Sequence, residues 1–127
     1  MIVGEGGEHL PPGRCRRRRV RRLPALVGFA HAEPERAADL RDLLLSFVAP
    51  TRAEDGALEY HFHEDANRPG TFVFYEVWRS GADLERHLAL PALRTFWDTR
   101  MDYLERDLDI RWLTMHSAYP REVPAAS

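Results

Sequence analysis

The sequence predicts an α+β domain, a four-stranded antiparallel sheet with helices on one face in the ferredoxin-like arrangement. Three observations carry that expectation. Hydrophobic periodicity switches between two and 3.6 along the chain, so the elements run strand, helix, strand, strand, helix, strand. Turn formers between residues 65 and 70 join the two middle strands as a hairpin. Finally, the segment Phe72-Val-Phe-Tyr-Glu-Val-Trp78 carries large apolar groups on both faces, more than helices on one side can cover.

The elements follow in order. Residues 26–30, Leu-Val-Gly-Phe-Ala, form a short apolar strand. Glu33-Pro34-Glu35 opens a helix, because proline is tolerated in the first turn and carboxylates suit the positive end of the dipole. Ala37, Leu40, Leu44, Phe47 and Val48 then recur on one buried stripe, and Pro50 kinks or ends it. Asp55-Gly56 turns the chain into a second strand over 57–64, where Leu58, Tyr60 and Phe62 alternate with Glu59, His61 and His63. The Phe72 strand follows and stops at Ser80-Gly81-Ala82-Asp83, which can cap the next helix. That helix sets Leu84, His87 and Leu88 on one side. Pro91 starts another helical piece with Leu93, Phe96, Trp97, Met101 and Leu104, and residues 108–116 make the last strand.

Length and composition narrow the class. At 127 residues the chain is one domain, large enough for a core without disulfides or metals. All 18 basic residues are arginine, so lysine Schiff-base chemistry is excluded. Cys15 is the single cysteine, which leaves no disulfide framework and fits a reducing cytoplasm. No apolar run approaches the roughly 18 residues of a membrane span. The net charge of −2 divides into +5 over residues 1–24 and −7 over residues 25–127. Residues 1–24 combine glycines, prolines and an arginine run without hydrophobic period, and read as a disordered extension. A nucleic-acid arm would want aromatic residues among the arginines, and the acidic body would repel a polyanion, so no nucleic-acid partner is expected. The body is expected over 25–119 and a tail over 120–127.

Site candidates cluster around the Phe72 strand. Period-two alternation puts Phe72, Phe74, Glu76 and Trp78 on one face, where the helix carrying His87 packs. A carboxylate, an indole and an imidazole can therefore meet there. A histidine titrates near pH 6.5, so a neutral ring can take a phenolic proton at physiological pH, while a single structural hydrogen bond is the other role open to His87. Glu76 could orient that ring, and Trp78, Phe74, Tyr60 and Phe62 could line a pocket or serve as ordinary core. His61 and His63 share a face but point away from Tyr60, without a third ligand implied by spacing, so no metal is expected. On the other face, Val73, Tyr75 and Val77 need a cover, and a second subunit packed sheet against sheet would supply it.

Over residues 26–119 the chain resembles the antibiotic biosynthesis monooxygenase (ABM) domain and its quinol monooxygenase members. The resemblance rests on Glu54-Asp-Gly-Ala-Leu-Glu-Tyr60, the 65–70 hairpin, the Phe72 strand, and Leu84-Glu-Arg-His-Leu88 followed by Pro91. It implies a dimeric α+β barrel, a pocket between helices and sheet in each subunit, and oxygen chemistry without metal, flavin or haem. Two positions depart from relatives. Polyketide-modifying members carry an asparagine where this chain has Phe74, and haem-degrading relatives place their iron-binding histidine where this chain has Trp97. The resemblance therefore implies a cofactor-independent monooxygenase acting with dioxygen on a small electron-rich aromatic, a hydroquinone or polyketide-type phenol, with His87 as base. A non-catalytic dimeric binding or stress-response protein, and an isomerase or decarboxylase of the same superfamily, remain the alternatives.

Overall fold

The structure is a computed structural model that describes residues 22–126. Its elements are β1 (Pro24–His31), α1 (Ala37–Ser46), α2 (Val48–Arg52), β2 (Ala57–Glu64), β3 (Thr71–Trp78), α3 (Gly81–Leu88), α4 (Pro91–Thr99) and β4 (Asp109–Thr114). Short 3₁₀ turns at Pro34–Arg36 and Arg100–Asp102 precede α1 and follow α4. The strands form one sheet in the order β2-β3-β1-β4, every pairing antiparallel. This is the expected ferredoxin-like α+β fold. The extension expected over 1–24 lies mostly outside the described residues. Within them, Leu23 is 2% exposed and Pro24 opens β1, so these two residues belong to the body.

Register decides which side chains share a face. Gly28 stands opposite Phe74 and Leu26 opposite Glu76, while Tyr60 faces Glu76 from the other neighbour. Leu26, Tyr60, Phe72, Phe74, Glu76 and Trp78 thus lie on the face that the helices cover. Leu40, Leu44, Phe47, Phe96 and Leu104 pack there against Ala30, Tyr60 and Phe72 to make the principal core. Glycine at position 28 has a steric reason, because a Cβ there would come within 2.3 Å of the Phe74 ring.

Three details differ from the sequence expectation. The first helix breaks at Phe47 into α1 and α2, and Pro50 sits inside the short second piece. A proline near a helix start forfeits an N–H that has no acceptor within the helix, so the break falls before it and not at it. In β2 the register shifts between Ala57 and Glu59. This bulge turns Leu58 away from Tyr60 and packs it with Leu23, Ala25 and Val77 on the far face. That far face is also partly covered by the chain itself: Met115, Tyr119 and Val123 pack on the same cluster, and Val77 is fully buried. Tyr119 donates to Glu59, whose carboxyl is held down to about 2 chiefly by that hydrogen bond, with His61 and Arg121 adding to it. The tail is therefore anchored through residue 123, not plain from 120, and the need for an outside cover shrinks to the half-buried Val73 and Tyr75 region.

Candidate active site

A cavity of about 370 Å³ opens between the helices and the sheet. The sheet contributes Leu26, Tyr60, Phe74, Glu76, Ile110 and Trp112; the helical side contributes Leu44, Phe47, His87, Leu88, Leu93, Arg94, Phe96 and Trp97, with Leu108 between. Nearly all of this wall is apolar, as small-molecule pockets are, and the few polar groups are Tyr60, Glu76, His87 and Arg94.

His87 is fully buried, and α3 delivers it there for a local reason. Ser80 caps the helix by accepting from the Asp83 backbone N–H, and Leu84 buries one turn before His87 on the same stripe. The imidazole packs against the Trp78 indole at 4.8 Å between centroids and edge-on to Tyr60 at 5.8 Å. Its Nδ1–H donates to Glu54 Oε2 at 2.8 Å. Nε2 is buried and has no hydrogen-bond partner among the described residues. The bond at Nδ1 fixes the tautomer, so in the neutral ring Nε2 keeps an unpartnered lone pair, and His87 is among the residues that line the cavity.

The loop that holds Glu54 is pinned to the same helix. Gly56 adopts φ of +96°, where a Cβ would also strike the Asp83 side chain at 2.4 Å. Arg79 donates to both Asp83 and Asp55, and its own N–H bonds the Gly56 carbonyl at 2.8 Å. Arg79 and Asp83 are buried together, and the guanidinium hydrogen bonds hold the Asp83 carboxyl down to about 2. Arg79, paired with the buried Asp83 and with the half-exposed Asp55, thus ties the turn before β2 to the start of α3, next to where Glu54 meets His87.

Glu76 occupies the neighbouring stretch of wall. Its Oε1 accepts from Trp78 Nε1 at 2.9 Å, and burial raises its carboxyl above the usual range, against the lowering effect of that hydrogen bond. Burial, with the Glu76 charge second, likewise pushes the Tyr60 phenol up.

The expected site residues divide as follows. His87, Phe74, Tyr60 and Glu76 line one cavity. Trp78 does not: it is fully buried behind His87 and Glu76, positioning both. Phe62 stacks on Phe72 at 5.4 Å in the core, off the cavity wall, because the twist of the sheet carries that end of β2 past the opening. The partner of His87 is Glu54, not Glu76, which spends its hydrogen bond on Trp78. Glu54 lay inside the Glu54–Tyr60 motif, but nothing in its spacing from His87 marked the pair. Arg94, Trp97 and Trp112 at the rim were also not foreseen as lining. His61 instead bonds Glu59 and Arg52 on the far face. Among the described residues no helix is long and apolar enough to cross a membrane.

Comparisons with known proteins agree with this architecture. An uncharacterized protein of Synechocystis sp., sll1783, is 30% identical over 86 residues, which cover 68% of this chain and 58% of that protein. The "Putative monooxygenase Rv0793" of Mycobacterium tuberculosis is 40% identical over 67 residues, 53% of this chain and 65% of that protein. The chain thus spans less than two thirds of either relative. Among solved structures, PA3566 of Pseudomonas aeruginosa superposes with a TM-score of 0.71 at 31% identity, covering 77% of this chain and 98% of that one. The sequence model of the antibiotic biosynthesis monooxygenase family matches residues 25–99, from β1 through the end of α4, and so takes in His87, Glu54 and most of the cavity wall. By that match the chain belongs to the antibiotic biosynthesis monooxygenase family.

Proposed function

We propose that this protein is a cofactor-independent monooxygenase for a small electron-rich aromatic of the hydroquinone or polyketide-phenol type. The observation that carries the proposal is the His87 ring, held by Glu54 at one nitrogen and unpartnered at the other among the described residues, in the wall of a largely apolar cavity. Nε2 takes the phenolic proton, and Glu54 stabilises the imidazolium that results. The substrate anion is then electron-rich enough to pass one electron to dioxygen. The radical pair combines into a peroxide, and the imidazolium returns its proton as the O–O bond breaks. For a hydroquinone the balance is hydroquinone plus dioxygen to hydroxyquinone plus water. The substrate supplies the electrons, and the chain supplies a base, a dry wall and orientation.

The working unit is a homodimer. Val73 and Tyr75 remain half-buried on the far face, and Leu113 on β4 is 42% exposed, apolar surface that a second copy would cover. Sedimentation at micromolar concentration checks it, and a folded monomer there would remove the dimer. The test of function is an oxygen electrode: a panel of hydroquinones, chelator present, wild type against His87→Ala. Substrate-dependent uptake that falls about 10²- to 10⁴-fold in the variant is expected for a positioned base. Uptake that is absent, or unchanged in the variant, refutes the reading.

A further inference from the structure

The cavity has a chemical polarity along its depth. Its inner wall carries Glu76 and, behind His87, Glu54, two carboxyl groups that disfavour a buried anion. Its helical rim carries one guanidinium, Arg94 on α4, flanked by Leu93 and, one turn on, Trp97. Most other arginines among the described residues are engaged: Arg36 with Asp39, Arg79 with Asp83 and Asp55, Arg100 with Asp107, Arg111 with Asp109, Arg121 with Glu59. The Arg94 side chain makes neither a hydrogen bond nor an ion pair among the described residues. Asp98 stands one turn further along α4, at the helical spacing for a pair, and no bridge to it forms.

Around this cation the rim is aromatic and open. Trp97 is 46% exposed and Trp112, on β4, is 61% exposed, yet both line the cavity. The Arg100 guanidinium stacks on Trp97 at 3.8 Å, so it is chiefly Trp112 that sets open aromatic surface near Arg94, an arrangement that suits a flat, anionic guest.

We propose that the physiological ligand is an aromatic acid, bound with its carboxylate on Arg94 at the rim and its hydroxylated ring pointing inward to His87. The assignment rests on the cavity as the substrate site of the proposed function. Placement follows from charge. The acid end cannot sit by Glu76 and Glu54, and the phenolic end must reach Nε2, so Arg94 fixes which end enters first. The cavity volume of about 370 Å³ suits one or two rings.

Binding tests this without turnover. Quenching of tryptophan fluorescence in the full chain is titrated with hydroquinone, and with gentisate and homogentisate, which carry the carboxylate on the ring or on one methylene. Wild type is expected to bind at least one acid about 10- to 100-fold more tightly than hydroquinone, the usual worth of a charge-assisted hydrogen bond. Arg94→Gln should bring that acid to the affinity of hydroquinone and leave hydroquinone itself unchanged, and Arg94→Lys should recover part of the difference. An acid preference that depends on Arg94 in a protein consuming no oxygen supports the aromatic-acid site while refuting the oxygenase reading. No saturable binding of either acid, no preference over hydroquinone, or equal weakening of all probes by Arg94→Gln overturns it.

Discussion

Replacing Glu54 by glutamine removes one negative charge behind His87 and little else. The carboxylate accepts from Nδ1–H at 2.8 Å, and the imidazole it holds is 1% exposed, so water does not stand in for it. Glutamine keeps a carbonyl oxygen of similar reach, and the neutral ring can stay in place. What is lost is the charge that steadies the imidazolium formed as the substrate gives up its proton. A hydrogen bond to a charged group contributes about 1.5–3 kcal/mol, against about 0.5–1.5 kcal/mol for a neutral one. The difference, about 1–2 kcal/mol, corresponds to a fall in kcat of roughly 5- to 30-fold. KM should barely move, because Glu54 is not on the cavity wall. Glu54→Ala goes further: the buried ring then has no partner at either nitrogen, and a loss approaching that of His87→Ala, about 10²-fold or more, is expected. Initial rates of oxygen uptake, corrected for the folded fraction by circular dichroism, measure both variants. Full activity in Glu54→Gln, or a loss matched by loss of folded protein, would refute the role of Glu54 as the positioning residue for the base.

Gly28→Ala forces the Phe74 ring from its place, so stability should fall by about 1–3 kcal/mol in urea denaturation, and ligand affinity should fall with it. Leu23→Ala should cost about 2–5 kcal/mol, since the side chain is buried beneath β1 and the tail; an unchanged midpoint would return Leu23 to the extension. Asp83, ordinarily at 3.8, is held down to about 2 in the fold, so it contributes stability above its ordinary value that disappears as pH falls through about 2. Asp83→Asn should be less stable at neutral pH and show a flatter stability profile between about pH 4 and 2; an identical acid slope would show that the Arg79 pair does not govern it.

The sequence alone determined the topology and the shared face of the central strand. Strand period, turn chemistry and capping are local, so the hairpin at 65–70, the Ser80 cap and the alternation of Phe74 with Glu76 were legible from neighbours in the chain. His87 was legible too, because its helix packs its apolar stripe on that strand. Tertiary structure decided what meets His87 and what does not. Glu54 and His87 lie 33 residues apart, and they meet next to the Arg79–Asp83 pair and the turn at Gly56, neither of which leaves a periodic trace. The bulge at Leu58 and the break before Pro50 likewise follow from the fit of whole elements. Trp78 and Phe62 share a face with the cavity residues but not the cavity, because period two assigns a face while twist and crossing helices choose which part of that face stays open.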